Sequence, residues 1–200
     1  MKLIDSLRSN LAKNAIVTLI EMCKHLSGVL YPNLESIILR LMKRGSDTNT
    51  LIAEESKKAL NEICHTFDES KVVEILLGCY SIKTSSAKIN ICRCLQAIAL
   101  NTEERFKQVK DYDRFLILVA SYILDGSQET RNIARVALTS IIDRVISMQE
   151  LEKILRHAQL PNASIEQILS VIKKDHSNPD SASLLSSNMT RCNIFLINST

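Results

Sequence analysis

DGSQETRNIARVAL, residues 125–138, decides how this chain folds. Asp125-Gly126 reads as the end of one helix. A second helix starts within five residues, at a cluster of Ser, Gln and Thr side chains suited to capping an N-terminus. Further on, Ala134, Ala137, Leu138 and Ile141 follow the spacing i, i+3, i+4, i+7, which puts all four on one helical face. Two amphipathic helices joined by so short a turn make an antiparallel hairpin.

The same face recurs three times upstream. LRSNLAKNAIVTLIEM (7–22) carries it as Ala15, Thr18, Leu19 and Met22. TNTLIAEESKKALNEI (48–63) carries it as Ser56, Ala59, Leu60 and Ile63. KTSSAKINICRCLQAI (83–98) carries it as Ile91, Cys94, Leu95 and Ile98. Small residues at the first two positions let another helix approach closely. The leucines Leu19, Leu60, Leu95 and Leu138 lie 41, 35 and 43 residues apart. Drift of this size is ordinary for helical-hairpin repeats of the HEAT or armadillo kind. The expected fold is therefore all-α, a solenoid of about five hairpins.

Each of these helices is preceded by another. Residues 34–44 lead into Gly45-Ser46-Asp47, residues 69–82 into Lys83-Thr84-Ser85-Ser86, and residues 112–124 into Asp125-Gly126-Ser127. The short stretch KLIDS (2–6) is expected to play the same part before Leu7-Arg8-Ser9. Gly45 and Gly126 read as C-cap glycines, and Thr84 or Ser85 suits the cap of the helix over 86–100. A further pair is expected over 147–158 and 164–174, broken at Pro161-Asn162, as a hairpin that closes the stack. Residues 178–200 are Ser/Asn-rich and lack periodicity, so they read as a flexible tail behind a domain spanning 1–177.

Composition agrees. Hydrophobic residues are 46% of the chain, enough for a core, and four Gly and three Pro are too few for a turn-rich sheet fold. No apolar run approaches the length of a membrane span, and MKLIDSLRSNLAKN does not read as a signal peptide. The sequons at Asn162, Asn188 and Asn198 are then expected to be idle. Cys23, Cys64, Cys79, Cys92, Cys94 and Cys192 contain no CxxC pair, and five of them fall on apolar stripes, as buried thiols of a reducing compartment do. His25, His65, His157 and His176 are scattered, and no HExxH, GxSxG or P-loop pattern appears. No enzyme, metal or cofactor is expected.

Arg8, Asn49, Thr84 and Ser127 each sit eleven residues before an anchoring leucine. Hairpins that stack in register bring these four turns onto one edge. Arg8, Lys43, Arg44, Lys83, Lys88 and Arg131 surround the row, interrupted by Asp5, Asp47, Asp125 and Glu129. Two readings stand at this point. The turns are polar because they are wet, or they form a binding rim. A net charge of +3 with interleaved acids suits an acidic protein partner and argues against nucleic acid.

Three of the turns carry a family resemblance. LRSNLAKNAIVTLIEMCKHL, SDTNTLIAEESKKALNEI and DGSQETRNIARVAL resemble helix-turn-helix segments of TOG domains, nearest the CLASP and crescerin (TOG array regulator of axonemal microtubules) branch. The likeness runs over roughly residues 3–175. It implies a flat paddle of HEAT hairpins that binds tubulin or microtubules through its row of intra-hairpin loops, in the cytoskeleton or at the cilium. By that analogy the contacts are Leu7 and Arg8; Lys43, Arg44, Asp47, Thr48, Asn49 and Thr50; Lys83, Thr84, Ser85 and Ser86; and Ser127, Gln128, Glu129, Thr130 and Arg131. The chain departs from the family in two ways. It has no Trp for the first loop, and Met1 falls inside what would be the second hairpin. Such a shortened or degenerate member leaves the apolar face of residues 11–30 exposed, or covered by a partner or a second copy. The alternative is a HEAT scaffold with a non-tubulin protein partner.

Overall fold

The computed structural model describes residues 3–81 and 84–177, with side chains described for 3–80 and 84–175. Lys83, the 178–200 tail with Cys192, and the sequons at Asn188 and Asn198 lie outside the described residues, as does the His176 side chain. The chain divides into two compact units, Met1–Ile146 and Ser147–Thr200.

Among its described residues the first unit holds seven α-helices: α1 (Ser9–Leu30), α2 (Leu34–Arg44), α3 (Thr50–Thr66), α4 (Glu69–Gly78), α5 (Ser85–Asn101), α6 (Tyr112–Tyr122) and α7 (Gln128–Arg144). They form two layers. In the second layer, made of the helices that follow each turn, α1 packs on α3, α3 on α5 and α5 on α7. In the other, α2, α4 and α6 each pack on the helix that follows them, and α4 touches α6. This is the stacked-hairpin arrangement the repeated apolar face demands. Its core is made of three of the four expected stripes, with Ala59, Leu60, Ile63, Ile91, Leu95, Ile98, Ala134, Ala137, Leu138 and Ile141 all buried, while of the first stripe only Leu19 is buried. Each fully buried Leu or Ile contributes about 1.5–3 kcal/mol relative to exposure.

Local signals set the ends. Asn49 caps α3 by accepting from the Leu51 amide at 3.1 Å, and Ser127 Oγ caps α7 by accepting from Thr130 N–H at 3.4 Å. Asp68 caps α4 through Lys71 N–H at 3.1 Å. The four second-layer helices share one length. Between Arg8 and Leu26, Asn49 and Phe67, Thr84 and Thr102, and Ser127 and Val145 lie 17 residues each time. In α1 the end of that span is the break at Leu26 (φ −133°, ψ 33°), after which the chain turns on toward a 3-10 turn over Tyr31–Asn33. Past α5, a 3-10 turn over Glu104–Gln108 buries Phe106, which meets Tyr112 and Phe115 edge-on at 5.7 and 5.1 Å.

Several boundaries differ from the sequence expectation. Leu3–Asp5 is a turn closed by Ser6 N–H to Leu3 O at 3.2 Å, since five residues are too few to nucleate a helix. The helix after Asp68 ends at Gly78, and Cys79–Ser81 is a 3-10 turn. Gly45 does cap α2, but with φ −63° rather than the left-handed conformation, and α6 ends before Gly126, with Ile123 at its cap. Among the described glycines none has positive φ.

The second unit contains the helices α8 (Met148–His157) and α9 (Asn162–Ser177). Ser147 caps α8 through Glu150 N–H at 3.2 Å. The helix after Pro161 begins at Asn162, two residues earlier than its apolar pattern suggested. Leu151 and Leu155 of one helix and Ile165, Ile168, Leu169 and Ile172 of the other are buried. Gln159, just past α8, holds φ 56°.

Candidate protein-binding rim

The four residues at equal distance from the anchoring leucines are the four N-cap residues of the second layer: Arg8 for α1, Asn49 for α3, Thr84 for α5 and Ser127 for α7. Three of the turns share one local device. A side-chain oxygen two residues before the cap accepts from the cap amide. Ser6 Oγ takes Arg8 N–H at 3.2 Å, Asp47 Oδ1 takes Asn49 N–H at 2.9 Å, and Asp125 Oδ1 takes Ser127 N–H at 2.9 Å. This short-range bond fixes the direction in which the chain enters each helix.

Contacts between hairpins place the turns along a common edge. Arg44 of the second turn donates from Nε to Ile4 O at 2.9 Å and from Nη2 to Ser6 O at 2.9 Å, both in the first turn. Its Nη1 also meets Asp47 Oδ2 at 2.6 Å. Arg40 pairs with Asp5. Gly45 lies against Asn90 of α5, where an added Cβ would meet Nδ2 at 2.7 Å. Lys88, in the first turn of α5, reaches Asp125 Oδ2 at 3.0 Å, and Arg93 reaches Glu129 at 2.7 Å. Partial burial works against the charge on Asp125. The Ser127 amide and the Lys88 ammonium outweigh it and hold the carboxyl below its usual range.

These bonds sort the expected site residues. Leu7, at 101% relative exposure, Arg8 and Lys43 stand outward, and neither cation forms an ion pair among the described residues. Thr48, Thr50, Thr84, Ser85, Ser86, Gln128 and Glu129 are exposed beside them. Arg44 and Arg131 turn inward. The Arg131 guanidinium holds Asp125 O at 2.7 Å and Gly126 O at 2.9 Å and also bonds Gln128. Asp47, Asn49 and Ser127 are half-buried and occupied with their own turns. Thr130 is fully buried, so it packs in the stack rather than on the rim. It occupies the position equivalent to Ile52 and Ala87, both buried too.

Leu51 stands exposed on the rim and was missed. Its offset from Leu60 is that of Asn10, Ser86 and Glu129 from their own leucines, all exposed, so the repeat register was the signal that could have found it.

A second exposed surface is the face of α1. Counted from the leucines, Leu11, Ala15, Thr18, Met22 and Leu26 match five positions that are buried in α3, α5 and α7 without exception. In α1 all five are exposed or half-exposed, with Leu11 at 40% and Leu26 at 50%. The five described cysteines are buried, and burial pushes the Cys92 thiol up to about 12 and Cys23 up to about 11. No group of three His, Cys, Asp or Glu among the described residues is placed to hold a metal. None of the described helices is long and apolar enough to cross a membrane.

No family model matches the chain. The mouse TOG array regulator of axonemal microtubules protein 1 is 27% identical over 165 residues, a match covering 79% of this chain and 9% of that protein. The chain thus spans a small fraction of that relative's length. A solved structure described as crescerin using a TOG domain array to regulate microtubules in the primary cilium superposes with a TM-score of 0.67 at 15% identity. That match covers 86% of this chain and 70% of the other. A second, from work on TOG–tubulin binding specificity in microtubule dynamics and spindle formation, superposes at 0.56 and 13% identity, over 84% of this chain and 63% of the other. The chain has the TOG-type fold of stacked HEAT hairpins, and its sequence is similar to the crescerin branch.

Proposed function

We propose that this chain binds tubulin through the rim of hairpin turns, as a TOG-like module of microtubule or ciliary organisation. One observation carries this reading. Four helix N-caps come into one register, and among the exposed groups there are two leucines, Leu7 and Leu51, and two cations, Arg8 and Lys43, with no ion pair among the described residues. Cations of this kind complement an acidic protein surface, and exposed leucines supply the apolar contact that the absent Trp cannot. The exposed hydroxyls of Thr84 to Ser86 extend the same surface. The names of the relatives, which concern tubulin, axonemal microtubules and the primary cilium, support the partner and the site in the cell. The role is that of a non-catalytic binding module.

The test is co-sedimentation with microtubules and size-exclusion with free tubulin. Arg8→Glu with Lys43→Glu removes binding while the melting temperature stays within about 2 °C, as expected for exposed groups. Binding equal to the parent would refute the rim. The uncovered face of α1 favours a second reading, a scaffold for another protein. That reading predicts no tubulin binding by the parent and loss of the other partner on Leu11→Asp.

A further inference from the structure

Arg44 was expected to touch the partner, yet its guanidinium is spent inside the protein. We infer that Arg44 is a positioning residue that clamps the first turn to the second and so presents Leu7 and Arg8. This rests on the rim being the tubulin-facing surface.

The argument starts from what holds the first turn. The chain from Leu3 to Asp5 is a turn, not a helix, so no helical ladder anchors it. Ile4 is buried, and its carbonyl and that of Ser6 both accept from Arg44 at 2.9 Å. Arg40 pairs with Asp5 between those two carbonyls. The Arg44 side chain is 17% exposed and spreads all three of its nitrogens over three acceptors, the third being Asp47 Oδ2. Asp47 in turn orients the second turn through the Asn49 amide. One planar fork therefore sets the spacing of two neighbouring turns. A lysine carries the same charge but cannot span three acceptors in a plane. Leu7 and Arg8 follow Ser6 directly. When Ser6 loses its carbonyl partner, the Ser6 Oγ bond to the Arg8 amide loses its fixed base.

The experiment compares Arg44→Lys, Arg44→Met, Arg8→Ala and the Arg8→Ala/Arg44→Met double variant. Affinity for purified αβ-tubulin is measured at two ionic strengths, and amide exchange at Leu7 and Arg8 is measured in the free proteins. The expected result is that Arg44→Lys, which preserves charge, weakens binding by on the order of tenfold without changing its salt dependence. The Arg8 amide exchanges faster in both Arg44 variants. Arg44→Met adds little to Arg8→Ala, since a group acting through Arg8 has nothing left to position. The inference is overturned if Arg44→Lys binds as the parent does, if the two single effects add, or if exchange at Arg8 is unchanged. If Arg8→Ala alone leaves tubulin binding intact, the rim reading fails instead, and the exchange data still decide the clamp.

Discussion

Gly45 owes its identity to a neighbour rather than to its own backbone. Its φ of −63° suits any residue, but an added Cβ would lie 2.7 Å from Asn90 Nδ2 and 3.2 Å from Leu41 O. Asn90 is buried, so this amide has little room to retreat, and its Nδ2 has no hydrogen-bond partner among the described residues. Gly45→Ala gains a few tenths to about 1 kcal/mol in unfolded-chain entropy, yet the crowding outweighs it. The expected outcome is a net loss of about 1 kcal/mol by chemical denaturation. Asn90→Ala in the same chain should recover it, because a methyl clears the clash and removes an unsatisfied donor. The sequence reading placed glycine correctly at the end of α2 and gave the wrong cause, because a close approach between hairpins leaves no local trace.

Among the elements, the second-layer helices are constant and the links between them vary. Each holds 17 residues between its end positions, while the leucine intervals drift through 41, 35 and 43. The apolar columns were legible for that reason: the i, i+3, i+4, i+7 spacing is carried by helices of fixed length. Thr130 was misplaced because it stands in a run of polar residues. Extending the column of Leu138 by two turns toward the N-terminus reaches Thr130 and would have sent it inward. Which cations face out was not legible, since Arg44 finds two of its acceptors 40 and 38 residues away and Arg131 folds back onto the carbonyls of its own turn. A further arginine works at the far ends of the helices. Arg144 of α7 donates to Leu100 O at 2.8 Å and Ala99 O at 2.6 Å, satisfying carbonyls that α5 leaves open. Arg144→Met should therefore lower stability by about 1 kcal/mol, given the partial exposure of these bonds. Amide exchange should rise in the last turns of both α5 and α7. A change confined to α7 would show that the bridge does not couple the two.

For the Met1–Ile146 unit as a whole, the common rim has a consequence in the placing of acids. Every first-layer helix carries an acid in its first turn: Glu35 in α2, Glu69 in α4 and Asp113 in α6. Three of the four helices that open on the rim carry none, α1, α3 and α5. The fourth has Glu129, which Arg93 neutralises. An acid at such a position ordinarily stabilises a helix by about 0.3–1 kcal/mol against its dipole. Ser85→Glu is thus expected to raise the melting temperature and to weaken tubulin binding at once, read by calorimetry and co-sedimentation on the same protein. The unit forgoes that stabilisation at three of the four helix N-termini that line the rim. On the proposed reading, those acid-free amide ends add partial positive charge toward an acidic partner beyond what Arg8 and Lys43 carry.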